Sequence, residues 1–165
     1  IRRPPRSTQS RSSAASDVYK RQADDPDVVH ERLFSRLLFA TDFSENAERG
    51  FEAFSYLRHA AREATLVHVE TPKDPGSEAG VDPHERLAER ADQLESWNIE
   101  TRTDVRQGDP ADELLAAEAE YEPTTILVGS RGHSRLRRLL IGSVSEEIVS
   151  RATGNVFLVP PSRTA

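Results

Sequence analysis

Three glycines, Gly129, Gly132 and Gly142, stand in the spacing G-x2-G-x9-G-S, the last followed by Ser143. Glycines let backbone N–H groups approach a phosphate with no Cβ in the way, and a helix starting at the last of them adds unpaired donors and a favourable dipole. Ordinary turns use spaced glycines too, so on spacing alone a phosphate cradle and a plain loop stand equal. Within the segment Arg131 is the cation to stabilise phosphoryl charge, whereas Arg135, Arg137 and Arg138 read as a solvated face and His133 as an exposed imidazole. Ser143 with Glu146 also matches a capping box, a purely structural role. Asp42, in Thr41-Asp42-Phe43-Ser44, can meet a ligand or cap the helix that follows or its turn. The loop lacks the lysine of a Walker-type phosphate loop, and no general base stands out for an attacking water.

Other chemistries are excluded by composition. With no cysteine there is no disulfide, thiolate or Cys-ligated zinc, and the histidines at 30, 59, 68, 84 and 133 lack metal-ligand spacing. No apolar run reaches the ~18 residues of a membrane span. The chain has 165 residues and a net charge of −6, and of its 22 basic residues only Lys20 and Lys73 are lysines. Residues 1–22 carry six basic residues and one acid, so the other 143 hold a net −11. Such a surface repels nucleic acid and anionic lipid and suits a cytoplasmic protein from a high-salt or high-GC organism.

The segment IRRPPRSTQSRSSAASDVYKRQ has no period of 2 or 3.6, and two adjacent prolines break any helix. It resembles the translated read-through of a sequencing adapter, and the chain contains no methionine. Residues 1–22 are therefore expected to be non-native or disordered, and residues 30–162 to form the domain.

Positioning the glycines and Asp42 falls to alternating strands and helices. Ser35–Ala40 is a short apolar strand; Ala47, Phe51, Phe54, Leu57 and Ala61 then mark one amphipathic helix from Ser44 onward. Ala64–Val69 is a second strand, residues 70–83 a loop, and Leu87, Ala88, Ala91 and Leu94 the stripe of a second helix. Ile99–Val105 sets apolar and Thr residues on one face against charges on the other, which suits a sheet edge. Asp109 and Pro110 open a third helix whose stripe is Ala111, Leu114, Leu115 and Ala119. Thr124–Val128 is the fourth strand, Val144, Ile148 and Ala152 line a last helix ended by Gly154, and Asn155–Val159 is the fifth strand. Tyr56, Trp97 and Tyr121 read as packing residues. This βαβαβαβαβ order implies an α/β fold, a doubly wound open parallel sheet with helices on both faces. Ligands of such sheets lie outside the carboxyl ends of the strands.

RLLFATDFSENAERGFEAFSYL, GDPADELL and GSRG…IGSVSEEIV together resemble the universal stress protein family, in its ATP-binding class with the same glycine motif after the fourth strand. The likeness covers roughly residues 34–160. It implies a Rossmann-like five-stranded sheet ordered 3-2-1-4-5, ATP at the switch between strands 1 and 4, and a homodimer. Carried over by position, Asp42 faces the ribose, the phosphates or their Mg²⁺, with Ala40 and Thr41 as the adjoining wall. Val69 meets the adenine edge, and Val128 and Gly129 meet ribose and base. Arg131 and Gly132 meet the phosphates, while Gly142, Ser143, Val144 and Ser145 close over them. Ala40 departs from the proline, and Thr124 from the acid, common at those family positions.

The expected function is adenine-nucleotide binding as a conformational or dimer signal in a stress response. The alternatives are a slow ATPase or phosphotransferase using Asp42 and Arg131, and an accessory domain of a transporter or kinase. The expected partners are ATP, Mg²⁺ at Asp42, and a second copy paired through the apolar edge strand Asn155–Val159, with neither nucleic acid nor membrane.

Overall fold

The computed structural model describes residues 32–72, 80, 82–130 and 141–160. Within them five strands form one sheet ordered β3-β2-β1-β4-β5: β1 Arg36–Ala40, β2 Glu63–Glu70, β3 Glu100–Gln107, β4 Thr125–Gly129 and β5 Asn155–Val159. Every pairing is parallel, and the central strand sets Ala40 opposite Val67 on one side and Val128 on the other. The intervening helices are α1 Glu45–Glu52, α2 Phe54–Leu57, α3 Pro83–Glu95, α4 Pro110–Tyr121 and α5 Ser143–Arg151.

Alternation along the buried strands divides the core in two, as a period of two requires. Leu37, Phe39, Ala64, Leu66 and Leu127 pack with Phe51, Phe54, Leu57, Leu87 and Leu94 of the first three helices. Leu38, Ala40, Val67, Val69, Ile126 and Val128 pack with Leu114, Ala117 and Ile148 of α4 and α5. Helices therefore cover both faces. Gly50 lets α1 lie close: a Cβ there would sit 3.0 Å from Phe39 Cε2.

Several local expectations change. The single helix from Ser44 breaks at Ala53, whose N–H bonds Gly50 O at 3.2 Å, a three-residue step. Phe51, Phe54 and Leu57 recur every three residues, and the tightened turn keeps all three in the core. Tyr56, on the far side, is 85% exposed and packs against nothing in the core. On α3, Ala88 is exposed, and the helix begins at Pro83 behind the N-cap Asp82. On α4, Asp109 caps as expected, but Ala117 and Glu118 are buried where Ala119 was expected.

The charged face of β3 is not simply solvated. Arg106 Nε and Nη2 donate to Asp104 at 2.6 Å and Glu120 at 2.5 Å, and the Tyr121 hydroxyl donates to Asp104 at 2.9 Å. Burial opposes the Arg106 charge but the surrounding acceptors outweigh it, so its pKa is raised. α4 thus shields part of the charged face of β3, which lies at the sheet edge as its alternation suggested.

The end of α5 also differs. Its N-cap is Gly142 with no side-chain cap, so Ser143 is the first helical residue and the capping box does not form. At the other end the helix stops at Ala152 without a left-handed glycine. The buried Glu118 carboxylate instead accepts from Gly154 N at 2.7 Å and from Thr153 N at 3.0 Å.

Candidate functional site

The carboxyl ends of β1 and β4 lie side by side at the centre of the sheet, because the chain leaves β1 toward β2 and leaves β4 the other way, toward β5. This is a topological switch point, where connections diverge and leave a crevice.

After β1 the chain is held by its own short side chains. Thr41 N donates to Val67 O at 3.0 Å, and Thr41 Oγ1 accepts from Phe43 N at 3.0 Å. Asp42 Oδ1 accepts from Ser44 N at 2.9 Å, and Ser44 Oγ accepts from Ala47 N at 3.2 Å. Ser44, not Asp42, is therefore the N-cap of α1; Asp42 closes the turn before it and stays half-buried.

These bonds hold Phe43 at φ 57°, a left-handed backbone that an aromatic residue adopts only under constraint. Its ring lies 4.5 Å from that of His68, and Arg86 of α3 covers it with its guanidinium 4.1 Å from the centroid. Buried His68 bonds Thr41 O through Nδ1 at 2.9 Å; a carbonyl only accepts, so Nδ1 carries the proton. The stack His68–Phe43–Arg86 thus braces the wall after β1 from β2 and α3. A lone histidine inside the mostly apolar strand ATLVHV was the sequence signal for it.

After β4 the backbone meets the start of α5. Ser130 N donates to Val159 O at 2.8 Å, Gly142 N donates to Ser130 O at 2.7 Å, and Ser145 Oγ donates to Gly129 O at 2.8 Å. The intrahelical ladder begins with Glu146 N to Gly142 O at 2.9 Å. The N–H groups of Ser143, Val144 and Ser145 therefore have no place in that ladder, and among the described residues no side chain caps them. Beside them Ser130 Oγ is buried with no hydrogen-bond partner among the described residues, at a cost of about 1–3 kcal/mol. Uncapped donors and an orphaned hydroxyl at one crevice suit an anionic ligand with several oxygens.

Neither Gly129 nor Gly142 has positive φ; Gly142 lies at φ −74°, ψ 158°. Conformation alone does not demand glycine at either position.

Of the sequence-derived residues, Ala40, Thr41, Asp42, Val128, Gly129, Gly142, Ser143, Val144 and Ser145 gather along this crevice, and Val69 lies at the end of the neighbouring β2. Ala40, Val69 and Val128 share the face toward α4 and α5. Ser145 spends its hydroxyl on Gly129 O, so its side chain serves the architecture. Arg131 and Gly132 lie outside the described residues. No group of three or more metal-ligating side chains occurs among the described residues. Sequence reasoning passed over Ser130, the residue between two assigned positions.

The universal stress protein family model matches residues 33–160. Universal stress protein MJ0577 of Methanocaldococcus jannaschii is 25% identical over 156 residues, an overlap of 77% of this chain and 95% of that protein. The solved structure of MJ0577 has a TM-score of 0.72 at 20% identity, over 80% of this chain and 99% of that one. A universal stress protein solved in complex with cAMP gives 0.62 at 22% identity, over 79% and 99% of the two chains. A family protein of Arabidopsis thaliana solved with AMP bound gives 0.56 at 19% identity, over 78% and 93%. With 128 consecutive residues matched, on a sheet of the expected order, the chain belongs to the universal stress protein family.

Proposed function

We propose that the domain spanning residues 30–162 binds an adenine nucleotide, ATP, at the β1–β4 crevice and uses it as a conformational or regulatory signal in a stress response, in the cytoplasm and as a homodimer. The observation that carries this reading is the uncapped start of α5, tied through Gly142 N and Ser145 Oγ to the end of β4. Free helix donors there supply the fixed dipoles a polyphosphate needs. The relatives solved with cAMP and AMP support adenine as the base.

In this reading Val69 and Val128 flank the base, Ala40 and Thr41 form the wall, and Gly129 lets the ribose approach. Arg131, Gly132 and Gly142 to Ser145 surround the phosphates. Asp42 would hold the Mg²⁺ of the nucleotide, which would neutralise phosphate charge there. Bound nucleotide would stiffen two segments that also meet β5, since Ser130 is tied to Val159. β5 pairs with β4 alone among the described residues and leaves Phe157 40% exposed, the edge through which a second copy would pair.

The test is calorimetric titration of the full chain with ATP, ADP, AMP and GTP, with and without Mg²⁺. Adenine nucleotides should bind, and at a hundred times Kd they should stabilise by ~2.7 kcal/mol, a rise in Tm of about 5–10 °C. Gly142→Val should abolish binding and keep the fold, because the backbone at φ −74° accepts a branched residue. Folded wild type without affinity for any adenine nucleotide would refute the reading.

A further inference from the structure

Ser130 is 6% exposed and its Oγ has no hydrogen-bond partner among the described residues. Its backbone, by contrast, is fully used: N–H to Val159 O at 2.8 Å, carbonyl from Gly142 N–H at 2.7 Å. The first bond extends the β4–β5 ladder one residue beyond the Gly129–Val159 pair. Along that strand Ile126 and Val128 face α4 and α5 while Leu127 faces the other way. Alternation then turns Ser130 toward α5, and its bond to Gly142 sets it against the N-cap of that helix. The neighbouring buried serine, Ser145, finds an acceptor in Gly129 O at 2.8 Å. Ser130 finds none, although alanine would fill the position without stranding a hydroxyl. Folded proteins seldom keep such a group unless something else completes it.

We propose that Ser130 is a ligand-contacting residue whose hydroxyl donates to a non-bridging oxygen of the phosphate nearest the ribose, and so separates nucleotides from nucleosides. The assignment rests on the nucleotide reading above, in which Gly129 meets the ribose and Arg131 the phosphates. Ser130 stands between those two positions in the chain, and its bond to Gly142 places it at the start of α5. Helix donors attract any anion at the start of α5; a single buried hydroxyl adds direction at one oxygen. AMP, ADP and ATP all present that oxygen, and adenosine does not.

The experiment titrates full-length wild type and Ser130→Ala with adenosine, AMP and ATP, and melts both proteins without ligand. Ser130→Ala should weaken AMP and ATP by the same factor, about tenfold or more. Adenosine affinity should be unchanged, and the ligand-free Tm should hold or rise because the stranded hydroxyl is gone. Ser130→Thr, which keeps the hydroxyl, should retain phosphate-dependent affinity. A loss confined to ATP, or one shared by adenosine, would overturn the assignment. Unchanged AMP affinity with a lower ligand-free Tm would overturn it as well, marking the hydroxyl as a structural group completed by a buried water. Wild type that binds none of the three ligands defeats the nucleotide reading and this assignment with it. Wild type that binds AMP as tightly as the variant defeats the Ser130 assignment alone.

Discussion

Glu118→Ala should be among the most damaging substitutions away from the apolar core. Its carboxylate, 7% exposed on α4, accepts from Gly154 N at 2.7 Å, Thr153 N at 3.0 Å and Thr153 Oγ1 at 3.2 Å. A Cβ on Gly154 would lie 3.2 Å from Glu118 Oε1, so the carboxylate and the glycine fit each other. Hydrogen bonds to a charged acceptor contribute about 1.5–3 kcal/mol each, but Thr153 and Gly154 are exposed and water replaces part of the loss. A net cost of about 2–3 kcal/mol follows, or roughly 6–12 °C in Tm for a domain of this size. Glu118→Gln, which keeps the shape and one acceptor, should cost about half as much. The damage should also travel: Glu118 fixes where β5 begins, and Val159 at its far end holds Ser130 N. Hydrogen exchange should speed up at the amides of Thr153 and Gly154, and to a smaller extent at Ser130. Thermal melts and amide exchange on both variants make the check. A Glu118→Ala protein melting within 2 °C of wild type, with those amides unchanged, would refute the reasoning.

Two further outcomes can be measured. Phe157, 40% exposed on the edge strand, meets Phe34 edge-on at 5.9 Å; Phe157→Asp should convert a dimer into a monomer by light scattering after size exclusion, and a monomeric wild type at tens of micromolar would contradict dimerisation through β5. Tyr121 has its pKa pushed up from 10.0 by burial and then by its bond to Asp104. The unfolded chain then loses that proton first, so the stabilisation is intact below pH 10 and falls away above it. Melts between pH 9 and about 11.5 should decline more steeply in wild type than in Tyr121→Phe, and parallel declines would contradict the assignment.

The fold was legible because its strands are short apolar runs set between helix caps and turn residues. β1, β2, β4 and β5 each begin and end within one residue of the expected positions, and Asp109-Pro110 starts α4 as their types require. What escaped was decided by tertiary contact. The break at Ala53 depends on how Phe51, Phe54 and Leu57 share one core, and the half-burial of Asp104 and Arg106 depends on α4 lying over an edge strand. Ser143 and Glu146 satisfy the pattern of a capping box, yet the helix starts one residue too early for Ser143 to cap it. At the site, spacing pointed to the glycines and Asp42, since both are local signals. The His68–Phe43–Arg86 stack joins Phe43 to positions 25 and 43 residues away, and a hydroxyl without a partner has no sequence signature at all.

The most direct test of a nucleotide site at the β1–β4 crevice is amide hydrogen exchange of the full chain with and without saturating ATP. Protection should concentrate in residues 40–44, 128–130 and 142–145, with the uncapped donors of Ser143 and Val144 slowed most, while residues 110–121 of α4 stay unchanged. Unaltered exchange in those three segments while ATP is bound, or protection centred elsewhere on the fold, would contradict the site.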